Sequence, residues 1–135
     1  MQHSQWIILA TVVALPLLGC GDAAGVKQPA EVHATVIEGR ITLSATAAKR
    51  LEIAFAEIKG TPEKLEAPYN GLLYDANGGE WVFVSPATNV FVRAPVKVDS
   101  IVGEKVHYTK GPPAGTKIVT MGAAELFGIE FGVGK

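Results

Sequence analysis

Between Val90 and Val98 the chain alternates with a period of two. Val90, Val92, Ala94, Val96 and Val98 fall on one face, and Phe91, Arg93, Pro95 and Lys97 on the other. That period marks a half-buried strand and does not fit a helix. Upstream, short runs rich in β-branched and aromatic residues flank Asp75-Ala76-Asn77-Gly78-Gly79. Two glycines and an Asn tolerate positive φ, so the chain is expected to reverse there. Residues 69–98 are therefore read as two or three antiparallel strands at the core of a small β domain.

The same pattern recurs on either side. Val32–Ile37 and Arg40–Leu43 are strand-like runs separated by Glu38-Gly39. Ser44 suits a helix N-cap, and Ala45–Glu52 reads as a short helix with Ala47, Ala48 and Leu51 as its buried stripe. Ile53–Ile58 reads as a strand, closed by Gly60-Thr61-Pro62. After the central region, Asp99–Glu104 reads as a turn, Lys105–Thr109 as a strand and Lys117–Met121 as another. Gly111–Gly115, with two prolines between glycines, is excluded from regular structure. Ala123–Phe127 is expected to make about one helical turn before a glycine-punctuated tail. The fold class is thus mainly β: a small antiparallel β-barrel or β-roll domain with one or two short helices.

The N-terminal stretch has a different character. Trp6–Leu18 is almost wholly apolar but only about 13 residues long, against roughly 20 for a bilayer span. The shortfall favours a cleaved signal peptide. Leu17-Leu18-Gly19-Cys20 resembles the bacterial lipobox, in which the bond before the cysteine is cut and the cysteine is lipidated. Cleavage is expected between Gly19 and Cys20, with Cys20 the lipidated residue. Each buried CH₂ contributes roughly 0.8 kcal/mol, and stable anchoring takes more than one acyl chain. The positive n-region usual in such signals is missing, because Met1–Gln5 holds no Lys or Arg. Gly21–Pro29 is small, polar and aperiodic, as a tether is. The expected organisation is a lipoprotein signal peptide over 1–19, a lipidated tether over 20–30 and a β domain over 31–135.

Composition narrows the function classes. In 135 residues the formal net charge is −1, and Lys and Arg form no run, so no nucleic-acid footprint is present. Cys20 is the single cysteine, which excludes an intrachain disulfide and a cysteine-built metal site. Glycine (15) and proline (8) are frequent enough to suit many turns and few long helices.

Three blocks carry a resemblance to a known family: Ser44–Ile58; Leu72-Leu73-Tyr74-Asp75 through Trp81-Val82-Phe83-Val84; and Phe91-Val92-Arg93-Ala94-Pro95-Val96. With the closing run Gly111–Gly128, the most specific part, they resemble the C-terminal half of periplasmic adaptors, or membrane fusion proteins. Those proteins serve efflux pumps of the resistance-nodulation-division type. The similarity spans about Thr42 to Phe131. It implies a β-barrel and membrane-proximal β region that docks on an inner-membrane transporter. A full adaptor also has a lipoyl-like domain split around a long helical hairpin. The chain has no room for either, and no heptad pattern. Asn70-Gly71 also stands where family members often have Ser-Ala.

Each candidate site residue also has an ordinary structural role open to it. His33 and His107 lie in expected strands with no second ligand at metal spacing, so each reads as a plain strand histidine. Met1 and Met121 are the only methionines, too few for a thioether copper or silver site. Glu63, Glu66 and Asp75 lack a nucleophile or histidine partner and read as solvated carboxylates. Gly111–Gly115 lacks the Lys-Ser/Thr ending of a phosphate loop. Tyr74 and Trp81 are candidate partner contacts, because aromatics are enriched in interface hot spots; core packing is their alternative role. Arg93 and Lys97 are candidate rim contacts, with solvent exposure as the alternative. No catalytic residue, metal or cofactor is expected.

The leading expectation is a non-enzymatic, lipid-anchored module of the cell envelope, resembling the transporter-docking part of an efflux adaptor and acting by protein–protein contact. Its expected partners are the membrane, through the lipid, and a transporter or full-length adaptor. The alternatives are an envelope lipoprotein that binds a small ligand or metal, and a relic of a truncated adaptor.

Overall fold

On each of two strands a pair of consecutive residues is completely buried: Val82-Phe83 and Ile118-Val119. Neighbouring side chains on a strand point to opposite faces, so these strands are covered on both sides. The structure, a computed structural model, describes residues 33–133. The expected signal peptide, Cys20 and the tether lie outside the described residues.

The elements run as follows. β1 (Ala34–Ile37) and β2 (Arg40–Leu43) form a hairpin, and α1 (Ala45–Arg50) follows. Next come β3 (Ala54–Glu57), β4 (Lys59–Thr61), β5 (Lys64–Pro68), a 3-10 turn at Tyr69–Gly71 and β6 (Leu73–Tyr74). β7 (Glu80–Ala87), β8 (Val90–Pro95), β9 (Lys97–Val102), β10 (Lys105–Lys110), β11 (Lys117–Met121) and α2 (Ala123–Glu130) complete the order. The domain is mainly β, as the residue pattern predicts, and every strand pairing is antiparallel. The larger sheet has the order β1-β2-β8-β7-β11-β3, with β6 also on β7; the smaller is β4-β5-β10-β9.

Two cores follow. Ile58, Leu65, Ala67, Leu72, Val82, Val96, Val106, Tyr108 and Ile118 fill the space between the sheets. Ile41, Leu43, Ala47, Phe83, Phe91, Val119, Ala123 and Leu126 pack the other face of the larger sheet against the two helices. The larger sheet is therefore the middle of three layers.

The chain changes sheets at buried corners. Ile58 joins β3 to β4 and Val96 joins β8 to β9, and both side chains sit in the inter-sheet core. Each corner is pinned through its backbone. Ile58 N–H donates to the Thr116 carbonyl at 2.9 Å and its carbonyl accepts from Gly115 N–H at 2.7 Å. Val96 N–H donates to the Glu80 carbonyl at 2.9 Å. The Glu80 carboxylate then accepts from Val98 N–H at 2.8 Å, so one residue holds the start of β9.

Local rules account for several elements. Ser44 caps α1, its Oγ accepting from Ala47 N–H at 3.1 Å. Asp75–Gly79 reverses the chain as expected, with Leu73 opposite Trp81 and Tyr74 opposite Glu80. Gly122 stands between β11 and α2 with φ 83°, a conformation that side-chain-bearing residues resist. A Cβ there would also press on Ile53 and on the Leu51 carbonyl oxygen. Gly71 lets the 3-10 turn close on β11; a Cβ would lie 2.8 Å from the Val119 carbonyl oxygen.

Four expectations are corrected. The alternation over 90–98 belongs to two strands in different sheets, joined at Val96. On its other face Phe91 is 1% exposed under the helices and Arg93 is partly covered, while Pro95 and Lys97 are exposed. Residues 99–102 continue β9 and are not a turn, and Lys59–Pro68 forms a hairpin that polarity and Pro62 disguise. α2 runs on through Gly128 to Glu130, because packing outweighs the glycine's weak helix propensity.

Tyr108 is wholly buried, and its hydroxyl has no hydrogen-bond partner among the described residues. Burial, with the nearby Tyr74, pushes its ionisation well above the usual tyrosine range. An unpaired buried hydroxyl costs about 1–3 kcal/mol in desolvation. Tyr108→Phe should therefore leave stability unchanged or raise it by about 1 kcal/mol in urea unfolding. A loss of more than about 1 kcal/mol would show that the hydroxyl has a partner.

Candidate functional site

The four candidate contact residues separate into three places. Trp81 on β7 and Arg93 on β8 are brought together on the helix-bearing face of the larger sheet, where Phe83, directly opposite Arg93, is also buried. Tyr74 lies on the other face, 47% exposed and close to the buried Tyr108. Lys97 opens β9 in the smaller sheet, is exposed, and stands opposite Lys110.

Arg93 is not the solvated or rim cation that alternation suggests. Its guanidinium lies 4.5 Å from the centre of the Trp81 ring, 5.3 Å from that of Phe131 and 5.6 Å from that of Phe127. Its Nε is 2.7 Å from Glu130 Oε2, a close ion pair whose angle is not that of an aligned hydrogen bond. Both side chains are largely covered, 20% and 10% exposed. Arginine is suited to this place because its planar cation stacks on rings while it pairs with a carboxylate. Phe127 and Phe131 are themselves in contact, with centroids 4.9 Å apart. The cluster fastens the C-terminal helix to the middle sheet.

Asp75 extends the same cluster. Its Oδ1 accepts from Asn77 N–H at 2.9 Å and Gly79 N–H at 2.7 Å, and its Oδ2 accepts from Trp81 Nε1–H at 2.9 Å. The Gly79 and Trp81 hydrogen bonds hold its carboxyl below the usual range, with Asn77 and the Arg93 charge adding to them. Asp75 thus closes the turn and orients the indole against Arg93. It is a structural anchor, where the sequence suggested a solvated carboxylate.

On the smaller sheet, Glu66 Oε1 accepts from Lys105 Nζ at 2.7 Å, while Glu66 Oε2 is 3.9 Å from His107 Nδ1. The Lys105 hydrogen bond lowers the Glu66 pKa, so at neutral pH this carboxylate is a fixed anion and a poor proton donor. Glu63 lies in the exposed β4–β5 turn. No group of three His, Cys, Asp or Glu able to hold a metal occurs among the described residues. His33, exposed before β1, accepts from Ser44 N–H through its backbone carbonyl at 3.0 Å.

Three exposed apolar side chains lie at one end of the smaller sheet. Ile101 (45% exposed) and Val102 (64%) form the tip of the β9–β10 hairpin, and Tyr69 (45%) stands beside it. Tyr69 N–H donates to the Glu104 carbonyl at 2.8 Å, which ties the tip to the 3-10 turn. Sequence reasoning missed this cluster because Asp99–Glu104 reads as a turn. The apolar Ile101-Val102 pair before Gly103 was the available signal.

No protein-family model and no curated protein matches this chain. Among the described residues no helix is long and apolar enough to cross a membrane.

Two predictions follow from the Arg93 cluster. Arg93→Ala should cost about 2–4 kcal/mol and lower amide-exchange protection over Ala123–Glu130; Arg93→Lys should recover only part. Equal protection in all three proteins would remove the fastening role. Because the Asp75 pKa is depressed on folding, its stabilisation is complete above the unfolded value near about 4 and fades as pH falls through the folded value. Asp75→Asn should therefore lower the melting temperature at pH 7, and the gap from wild type should shrink in acid. A gap that widens below about pH 4 would contradict the assignment.

Proposed function

We propose that this chain is a lipid-anchored, extracytoplasmic docking module of a bacterial efflux system, held by acyl chains on Cys20. Its partner is a resistance-nodulation-division transporter or a full-length adaptor, and it acts by surface contact without catalysis. The observation that carries this reading is the sequence resemblance over about Thr42 to Phe131 behind a lipobox cysteine. The domain's form supports it: a small β domain in which Asp75, Glu80, Arg93 and Glu130 are engaged in internal fastening. Three of its exposed apolar residues, Tyr69, Ile101 and Val102, lie at one end, where aromatic and aliphatic anchors suit a protein contact.

The test uses living cells of the source bacterium. Wild-type protein should take up radioactive palmitate and fractionate with membranes, and Cys20→Ser should lose both properties. Affinity purification from native membranes should recover a transporter or full-length adaptor. The yield should fall severalfold with Val102→Asp, which leaves the buried core untouched. Unlabelled wild-type protein would remove the anchor, and recovery of no transport component would remove the docking role.

A further inference from the structure

The helix-bearing face of the larger sheet carries an opening beside α1. There a groove of about 570 Å³ runs between α1, the β7–β8 turn and the edge strand β3. Phe91 is its buried floor. Phe55 forms one wall, 44% exposed, its ring nearly parallel to Phe91 with centroids 6.4 Å apart. Two features keep the groove open. α1 ends at Arg50 after six residues, and a bulge between Val84 and Ala87 breaks the β7–β8 ladder. The bulge places Ser85 and Ala87 on the rim, with Ser85 Oγ donating to the Ala87 carbonyl at 2.8 Å.

The charge around this opening is one-sided. Lys49, in the last turn of α1, and Lys117, at the start of β11, both line it, and no Asp or Glu does. Glu57 faces Lys117 across the β3–β11 register, yet the two form no ion pair. An apolar aromatic floor between two lysines favours an occupant that is apolar in the middle and anionic at its flanks. A cationic segment is repelled, and a neutral one gains nothing from the two exposed ammonium groups. Two lysines beside a concave opening are also too few for an anionic lipid surface, which is gripped by larger basic clusters.

We propose that this groove docks an acidic peptide segment of a partner protein, one aromatic side chain lying against Phe55, whose ring already stacks over the buried Phe91, and carboxylates pairing with Lys49 and Lys117. The surface is separate from the Tyr69–Val102 end, so the proposal goes beyond the docking role already inferred and does not require it.

The probe is a blocked pentapeptide with phenylalanine between two pairs of glutamates, titrated into the purified full-length protein by calorimetry. It should bind, more weakly as salt rises, whereas the version with lysines for glutamates should not. Lys49→Gln combined with Lys117→Gln should weaken binding by about tenfold or more with little change in melting temperature. Phe55→Ala should weaken it similarly. The proposal is overturned if the glutamate peptide does not bind, if both peptides bind alike, or if the double lysine variant binds as wild type does. It is equally overturned if the lysine variants abolish only binding to anionic vesicles, or only self-association. Recovery of a transport component by the double lysine variant, with peptide binding absent throughout, would sink this groove and leave the docking module standing.

Discussion

Burial of both faces of β7 and β11 is the constraint on which the rest of the fold depends. A two-layer sandwich hides one face of each sheet; here Val82 and Ile118 feed the inter-sheet core while Phe83 and Val119 feed the core beneath the helices. If the smaller sheet were removed, Val82 and Ile118 would face water. If α1 and α2 were removed, Phe83, Phe91 and Val119 would. Each fully buried side chain of this kind contributes roughly 1.5–3 kcal/mol, so neither outer layer is dispensable. The two layers are stabilised through shared strands, which couples their folding.

That arrangement also explains why corners carry more than their length suggests. Strands passing between layers must turn without leaving buried backbone groups unpaired. Ile58 and Val96 meet this by sending side chains into the inter-sheet core while their N–H groups find carbonyls on Thr116 and Glu80. Glu80 contributes through both backbone and carboxylate. Pro95, directly before the second corner, has no N–H to satisfy.

Much of this was legible in the residues. The mainly β class, the Ser44 cap, the reversal at Asp75–Gly79 and the β1–β2 hairpin depend on local chemistry, and local chemistry is what a sequence displays. The misread parts depend on tertiary contact. Unbroken alternation from Val90 to Val98 cannot show that the chain changes sheets midway, because Ala94, Val96 and Val98 face the same core on both sides of the corner. Lys59–Pro68 shows only Leu65 and Ala67 as buried positions, too thin a pattern to mark a hairpin. The full length of α2 comes from Phe127, Ile129 and Glu130 meeting the sheet. Arg93 reads as a solvated cation until α2 is laid over it.

The fate of Arg93 bears directly on where a partner can bind. A guanidinium enclosed by Trp81, Phe127 and Phe131 and paired with Glu130 cannot greet another protein without first releasing the C-terminal helix. Trp81 is tied down by the same cluster and by Asp75. Two of the four residues that chemistry nominates as contacts are therefore engaged inside the domain. Tyr74 and Lys97 stay exposed, and the two surfaces proposed for partners are the apolar Ile101-Val102 tip beside Tyr69 and the lysine-flanked groove at Phe55. They lie in different layers, the tip on the smaller sheet and the groove on the helix face of the larger one. A partner gripping both must straddle the domain, and one gripping either leaves the other open to a second chain.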